Sequence, residues 1–235
     1  MKKQLHDKMK DINSETINML KDANRFIEII LNMLKLGEVD KKIYGEGKAI
    51  EDGLNNCEVK IDTEIVETIA RYQPAAYDLR FLIGISRMTV ELERIGDLCV
   101  GISRGIHRGI KSGKFQELDG DFDQLFIMAK KAYQMYGIFL DAFLNRDINK
   151  CYMVLSLDED INEMQSDIIK KATEDMKKED KKVDINVEKI IIAKNLERIA
   201  DQTKNLSEDY LYIERGKDIR HAGFDKKKAD KKKES

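Results

Sequence analysis

Apolar residues recur along most of the chain at spacings of three and four, the period of a helix with one buried face. The clearest stripe is Ile85, Met88, Leu92, Ile95, Cys99, Ile102 and Ile106. A second runs through Ile192, Leu196, Ile199, Thr203, Leu206, Tyr210 and Ile213. Ile50, Leu54, Cys57 and Ile61, continuing to Glu64 or Ile65, form a third; Val154, Leu157, Ile161, Met164 and Ile168 form a fourth. With so few breakers the pattern predicts six long helices, over about 5–36, 40–72, 75–110, 118–147, 149–178 and 185–215. Pro74 is the one proline, and it fits the first position of the third helix, where a missing N–H costs nothing. Gly37, Gly45 and Gly47 read as an earlier break, and Gly109, Gly113 and Gly120 as the midpoint. The polar stretch 179–186 offers an Asp or Asn to cap the last helix.

Three such helices joined by short turns make an up-down-up bundle. The chain therefore reads as all-α, with two tandem three-helix bundles over 1–112 and 113–215 and a basic, disordered tail over 216–235. An internal repeat supports the duplication. Leu92-Glu93-Arg94-Ile95-Gly96-Asp97 recurs as Leu196-Glu197-Arg198-Ile199-Ala200-Asp201, an offset of 104 residues.

Composition narrows the function classes. Charged residues make up 37% of the 235, yet the net charge is only −2. The tail holds 8 cations and 4 anions, which leaves 34 cations against 40 anions in 1–215, a net −6. An acidic body of this kind argues against nucleic acid. Three cysteines without a C-x-x-C pair fit a reducing, cytoplasmic compartment. The first residues lack the apolar core of a signal peptide, and runs such as Ile190–Ala193 are too short to cross a bilayer, so no membrane insertion is expected. No E-x-x-H pair includes His6, His107 or His221, and no phosphate-loop or nucleophile-elbow motif occurs, so no enzyme is expected. Gly101, Gly105 and Gly109 read as a close-packing edge. Cys57 and Cys99 read as buried thiols, and Cys151, near a helix start, as more exposed. In Gln73–Arg80, Asp78 suits the positive end of a helix and Arg80 is expected to meet a carboxylate across the turn.

The chemistry lies in the repeated hexapeptide. Glu93/Asp97 and Glu197/Asp201 stand one turn apart on the side away from the buried stripe. Like charges at this spacing destabilise a helix by a few tenths of a kcal/mol. Two readings follow: solvated surface acids with Arg94 and Arg198 beside them, or oxygen donors to a cation. Two carboxylates do not complete a coordination sphere, so the neighbouring helix must contribute. In a hairpin pivoting at Gln73-Pro74, Glu51 lies level with Asp97 and Asn55 with Glu93, with Glu58 beside them. Asp158 and Asn162 take the same places opposite Asp201 and Glu197, and Gln165 stands where Glu58 does.

QPAAYDLR, then LERIGD, then LERIAD, with the closing ERGKDIRH, resemble the PhoU family of phosphate-transport accessory proteins over residues 1 to about 221. The resemblance implies two pseudo-symmetric three-helix bundles and multinuclear iron or zinc clusters at E(D)-x-x-x-D motifs, here Glu93/Asp97 and Glu197/Asp201. It assigns Glu51 and Asp158 to the second-helix acidic positions, with Asn55 and Asn162 departing from the pattern. Asn205 keeps an Asn that Gly101 lacks in the first copy, which points to the second site as the more typical. The implied role is negative regulation of phosphate uptake and of the phosphate-starvation response. It is that of an adaptor between the phosphate ABC transporter ATPase and a sensor histidine kinase, in the form of a homodimer. A metal-free helical scaffold and a metal-dependent phosphate-ester hydrolase are the alternatives.

Overall fold

The computed structural model describes residues 2–36, 41–111, 121–179 and 182–216. Six helices follow one another: α1 (Lys2–Leu36), α2 (Lys41–Tyr72), α3 (Tyr77–Lys111), α4 (Asp121–Asn145), α5 (Ile148–Lys178) and α6 (Val183–Arg215). Among the described residues there is no strand. Helices α1, α2 and α3 pack pairwise into one bundle, and α4, α5 and α6 into the other. The expected boundary at 112/113 and the tail after Gly216 lie outside the described residues.

The apolar stripes become the core. Every member of the α3 and α6 stripes is buried, and the one polar member, Thr203, donates its hydroxyl to the Ile199 carbonyl at 2.8 Å. The α2 stripe resolves in favour of Ile65, which is buried, while Glu64 lies at its edge. The bundles join through α1 against α4 and, most extensively, α3 against α6. At the first junction the buried Tyr136 hydroxyl donates to the Leu20 carbonyl at 2.8 Å, which satisfies a phenol that burial would otherwise penalise. Among the described residues no helix is long and apolar enough to cross a membrane.

The α3–α6 pair is antiparallel and carries the internal symmetry. Asn205 Nδ2 meets Glu91 Oε2 at 3.4 Å, and Asn195 Nδ2 lies 2.8 Å from where a Cβ on Gly101 would stand. The 104-residue offset turns one pair into the other. Gly96 and Ala200 of the repeated hexapeptide lie midway between these two contacts along their helices. Gly105 faces Ile192 and Glu188 in the same way, so the Gly101/Gly105 edge is a close-packing edge as expected.

Several local expectations are corrected. Gly45 and Gly47 lie within α2; at Gly47 a Cβ would stand 2.8 Å from the Phe26 ring, so close approach, not a break, explains it. Pro74 is in the turn, not in α3. The chain leaves α2 and enters α3 through left-handed Gln73 (φ 48°) and Ala76 (φ 50°). Arg80 makes no ion pair among the described residues; it lies over the Tyr77 ring and against Gly216. The last helix has no Asp or Asn cap: Lys182 holds that position and its side chain reaches back to Glu179 at 2.9 Å instead of capping the helix, and Asp184 sits in the first turn. Cys57 is half-buried, whereas Cys151 is fully buried, one step back along the α5 stripe from Val154. Burial pushes the Cys151 thiol up to about 12, with the Asp147 charge adding to it.

Candidate functional site

The α2–α3 hairpin has the register its turn dictates. Ser86 donates to Asp62 Oδ1 at 3.1 Å, and Leu54 packs under Gly96. Glu51 and Asn55 of α2 thereby come level with Asp97 and Glu93 of α3. Burial pushes the Glu93 carboxyl above its ordinary value, and the like charges of Asp97, Glu58 and Glu51 push it further, against the pull of Arg94. Four carboxylates therefore share one field. Asn55 Nδ2 donates to Glu51 Oε1 at 3.3 Å, while its Oδ1 is buried with no hydrogen-bond partner. On the outer side Lys48 bridges Glu51 (2.7 Å) and Asp52 (3.0 Å).

The second half repeats the arrangement with two changes, Gln165 where the first half has Glu58 and Lys204 where it has Val100. Burial raises the Glu197 carboxyl, and Asp201 and Asp158 add to it; Arg198 and a hydrogen bond from Gln165 oppose them. Asp201 is raised by burial and by Asp158 and held back by Lys204. Lys204 reaches Asp158 Oδ2 at 3.0 Å, and Asp158 Oδ1 stays buried with no hydrogen-bond partner. Burial is the largest single influence on the Lys204 ammonium and works against it, but the bond to Asp158 together with the charges of Asp158, Asp201 and Glu208 outweighs it and its pKa is raised. The second site is thus the less acidic of the two. Asn162 is exposed and lies at the margin of the site.

The donors suit a hard cation by type. Carboxylate and amide oxygens predominate, and a buried acceptor without a donor waits in each half, Asn55 Oδ1 and Asp158 Oδ1. The side chains are not drawn together, however. Among the described residues no three carboxylates, thiols or imidazoles stand close enough to hold an ion. Glu58 and Lys204 are the residues that motif reading left out of the site. Comparing the helices three residues beyond each motif Asp, where Val100 matches Lys204, identifies the second.

None of the eight predicted residues lines either principal groove. One groove lies between α4 and α5 around Lys131, Asp141, Lys150 and Met153. The other lies between α3 and α6 around Arg87, Glu91, Asn205 and Asp209. The carboxylates occupy the open flanks of the α2–α3 and α5–α6 hairpins.

Sequence and structure comparisons identify the family and the fold. The PhoU domain model matches residues 9–106 and again 125–210, once in each half. A phosphate-specific transport system accessory protein PhoU homolog of Pseudomonas aeruginosa is 27% identical over 227 residues, 97% of this chain and 92% of that protein. A homolog of the same name from a Burkholderia species is 32% identical over 213 residues, 90% of each chain. The crystal structure of PhoU from Pseudomonas aeruginosa superposes with a TM-score of 0.84 at 26% identity, covering 90% of this chain and 99% of that one.

Proposed function

Because the chain belongs to the PhoU family, we propose that it is an accessory protein of a phosphate-specific transport system. In this reading it limits phosphate uptake and holds the phosphate-starvation response off. It does so as a cytoplasmic homodimeric adaptor between the transporter's ATPase and a sensor histidine kinase, without catalysing a reaction. The observation that supports the reading is the double domain match, which covers both bundles of this chain, together with relatives named as phosphate-specific transport system accessory proteins. The carboxylates on open hairpin flanks, away from either groove, fit recognition better than turnover.

The proposed metal donors are Glu51, Asn55, Glu58, Glu93 and Asp97 in the first half and Asp158, Asn162, Glu197 and Asp201 in the second. Iron or zinc clusters there would supply positive charge that relieves the crowding of like charges. A second reading, a metal-free scaffold, has one observation behind it: Lys204 already supplies a cation to Asp158.

Two measurements test the proposal. In cells lacking the gene, a reporter driven by a phosphate-starvation promoter is expected to be on in rich phosphate and off again when the gene is restored. The purified chain is expected to retain the ATPase and the kinase in a pull-down when phosphate is present. A silent reporter in the deleted strain, or retention of neither partner, overturns the role. Elemental analysis of protein from iron- and zinc-replete cells separates the metal and scaffold readings.

A further inference from the structure

The outer face of the α3–α6 pair presents the same surface twice, with opposite charge. Its groove of about 390 Å³ holds Arg87, Glu91, Arg94, Glu208 and Asp209, two cations against three anions. The 104-residue offset carries Glu91 onto Asn195, Arg94 onto Arg198, Glu208 onto Arg104 and Asp209 onto Gly105. Val90, on the same lining, becomes Lys194, and Arg87 becomes Ile191. The residues that match this lining therefore include three cations and no anion, with Glu188 beside them against Gly105. The paired contacts Glu91–Asn205 and Gly101–Asn195 establish that the two surfaces are equivalent in space.

Duplication has thus turned one end of the face basic on a body of net charge −6. Arg104, Lys194 and Arg198 are all exposed. Among the described residues none of them enters an ion pair or side-chain hydrogen bond, although Glu197 feels Arg198 through space. Glu188, the acid one turn along, is taken up by Arg108 through bonds of 2.6 and 2.9 Å. On α6 the exposed side chains Val187, Ile191, Lys194 and Arg198 follow at helical spacing, an aliphatic pair leading into a basic pair.

We propose that this end of the α3–α6 face docks an acidic amphipathic helix of a partner protein, its carboxylates against Arg104, Lys194 and Arg198 and its aliphatic side chains against Val187 and Ile191. Exposed aliphatic and basic side chains in one helical stripe are what such a helix recognises. A free anion leaves the aliphatic pair without a role. An anionic bilayer meets an acidic body that it repels, and the stripe has no aromatic residue to enter the headgroups. The site goes beyond the regulatory role proposed above and holds whether or not the carboxylate sites bind metal.

The test uses the full chain and a fluorescent synthetic peptide about five helical turns long, with Leu on one face and Glu flanking it. Companion peptides carry Gln or Lys in place of Glu. Saturable binding of the Glu peptide, followed by anisotropy, is expected to weaken with salt. It is expected to weaken about tenfold or more in the triple variant Arg104→Glu, Lys194→Glu, Arg198→Glu, and several-fold in Ile191→Ser. Glu208→Lys at the other end is expected to leave it unchanged. The triple variant, checked for its native helical signal, should bind the Lys peptide instead, so a loss through misfolding is distinguishable. Four results overturn the proposal: no binding of the Glu peptide, equal binding of the Gln peptide, equal binding by the triple variant, or complete displacement by inorganic phosphate. The first of these, accompanied by retention on phosphatidylglycerol vesicles, assigns the face to a membrane.

Discussion

Lys204 of α6 holds Asp158 of α5 at 3.0 Å, and the position that matches Lys204 in the first half is Val100. One hairpin therefore carries its own counter-ion inside the acid cluster, while in the other Lys48 pairs with Glu51 from the outer side and Glu93 still feels the like charges of Asp97, Glu58 and Glu51. Lys204→Val is expected to raise the affinity of the second half for a divalent or ferric ion toward that of the first. It is also expected to destabilise the metal-free protein by no more than about 1 kcal/mol, because the pair is partly open to solvent and screened. Calorimetric metal titration and thermal unfolding in chelator read the two effects. The reciprocal Val100→Lys should suppress binding in the first half only.

Acidification should stabilise the metal-free protein through its crowded acids. Glu93, Glu197 and Asp201 all bind their protons more tightly folded than unfolded. Their contribution is therefore fully present below the unfolded carboxylate values and is lost as pH rises through the raised folded ones. Denaturant unfolding at pH 7 and pH 5 is expected to show wild type gaining stability relative to Glu93→Gln on acidification. Parallel curves for the two proteins would show that Glu93 feels no such crowding.

Two helical glycines should respond in opposite directions to alanine. At Gly84 a Cβ would stand 2.3 Å from Ile213 Cγ1, so the bundles must part or Ile213 must change rotamer. Overpacking of about 1–3 kcal/mol exceeds the helix gain of about 1 kcal/mol, and Gly84→Ala should lower Tm. At Gly53 nothing lies within 4 Å. There Gly53→Ala should stabilise by about 0.5–1 kcal/mol.

Tyr136→Phe removes the second donor to the Leu20 carbonyl, which keeps its own helical partner, the Asn24 N–H. A loss of about 0.5–1.5 kcal/mol in unfolding free energy, the net value of one neutral hydrogen bond, is expected. Because the bond joins α1 to α4, faster exchange of amide protons around Leu20 should accompany it.

Much of the fold was written in the spacing of Ile, Leu and Met, since each buried stripe follows from a single period. The α2–α3 register was equally legible, because an antiparallel hairpin fixes which residues face each other once its turn is located; Asp62–Ser86 bears this out. What escaped was what depends on third parties. Pro74 looked like a helix start because sequence does not show the left-handed Gln73 and Ala76 around it. Gly47 looked like a break because its reason is the ring of Phe26 on another helix. Lys204 lies three residues beyond the repeated hexapeptide and so outside its match, although its mate Val100 shows the difference in plain sequence. Cys151 was readable as well, one step before Val154 on the same stripe.

The α3–α6 crossing bears on ancestry. Glu91 meets Asn205 and Gly101 meets Asn195, so each half touches the other with the segment by which the other touches it. A half-length ancestor would have met a twin across this same seam, and any change in its third helix would have appeared on both sides at once. Fusing two gene copies ended that obligation. The seam could then hold glutamate on one side and asparagine on the other, and its two ends were free to evolve toward different company.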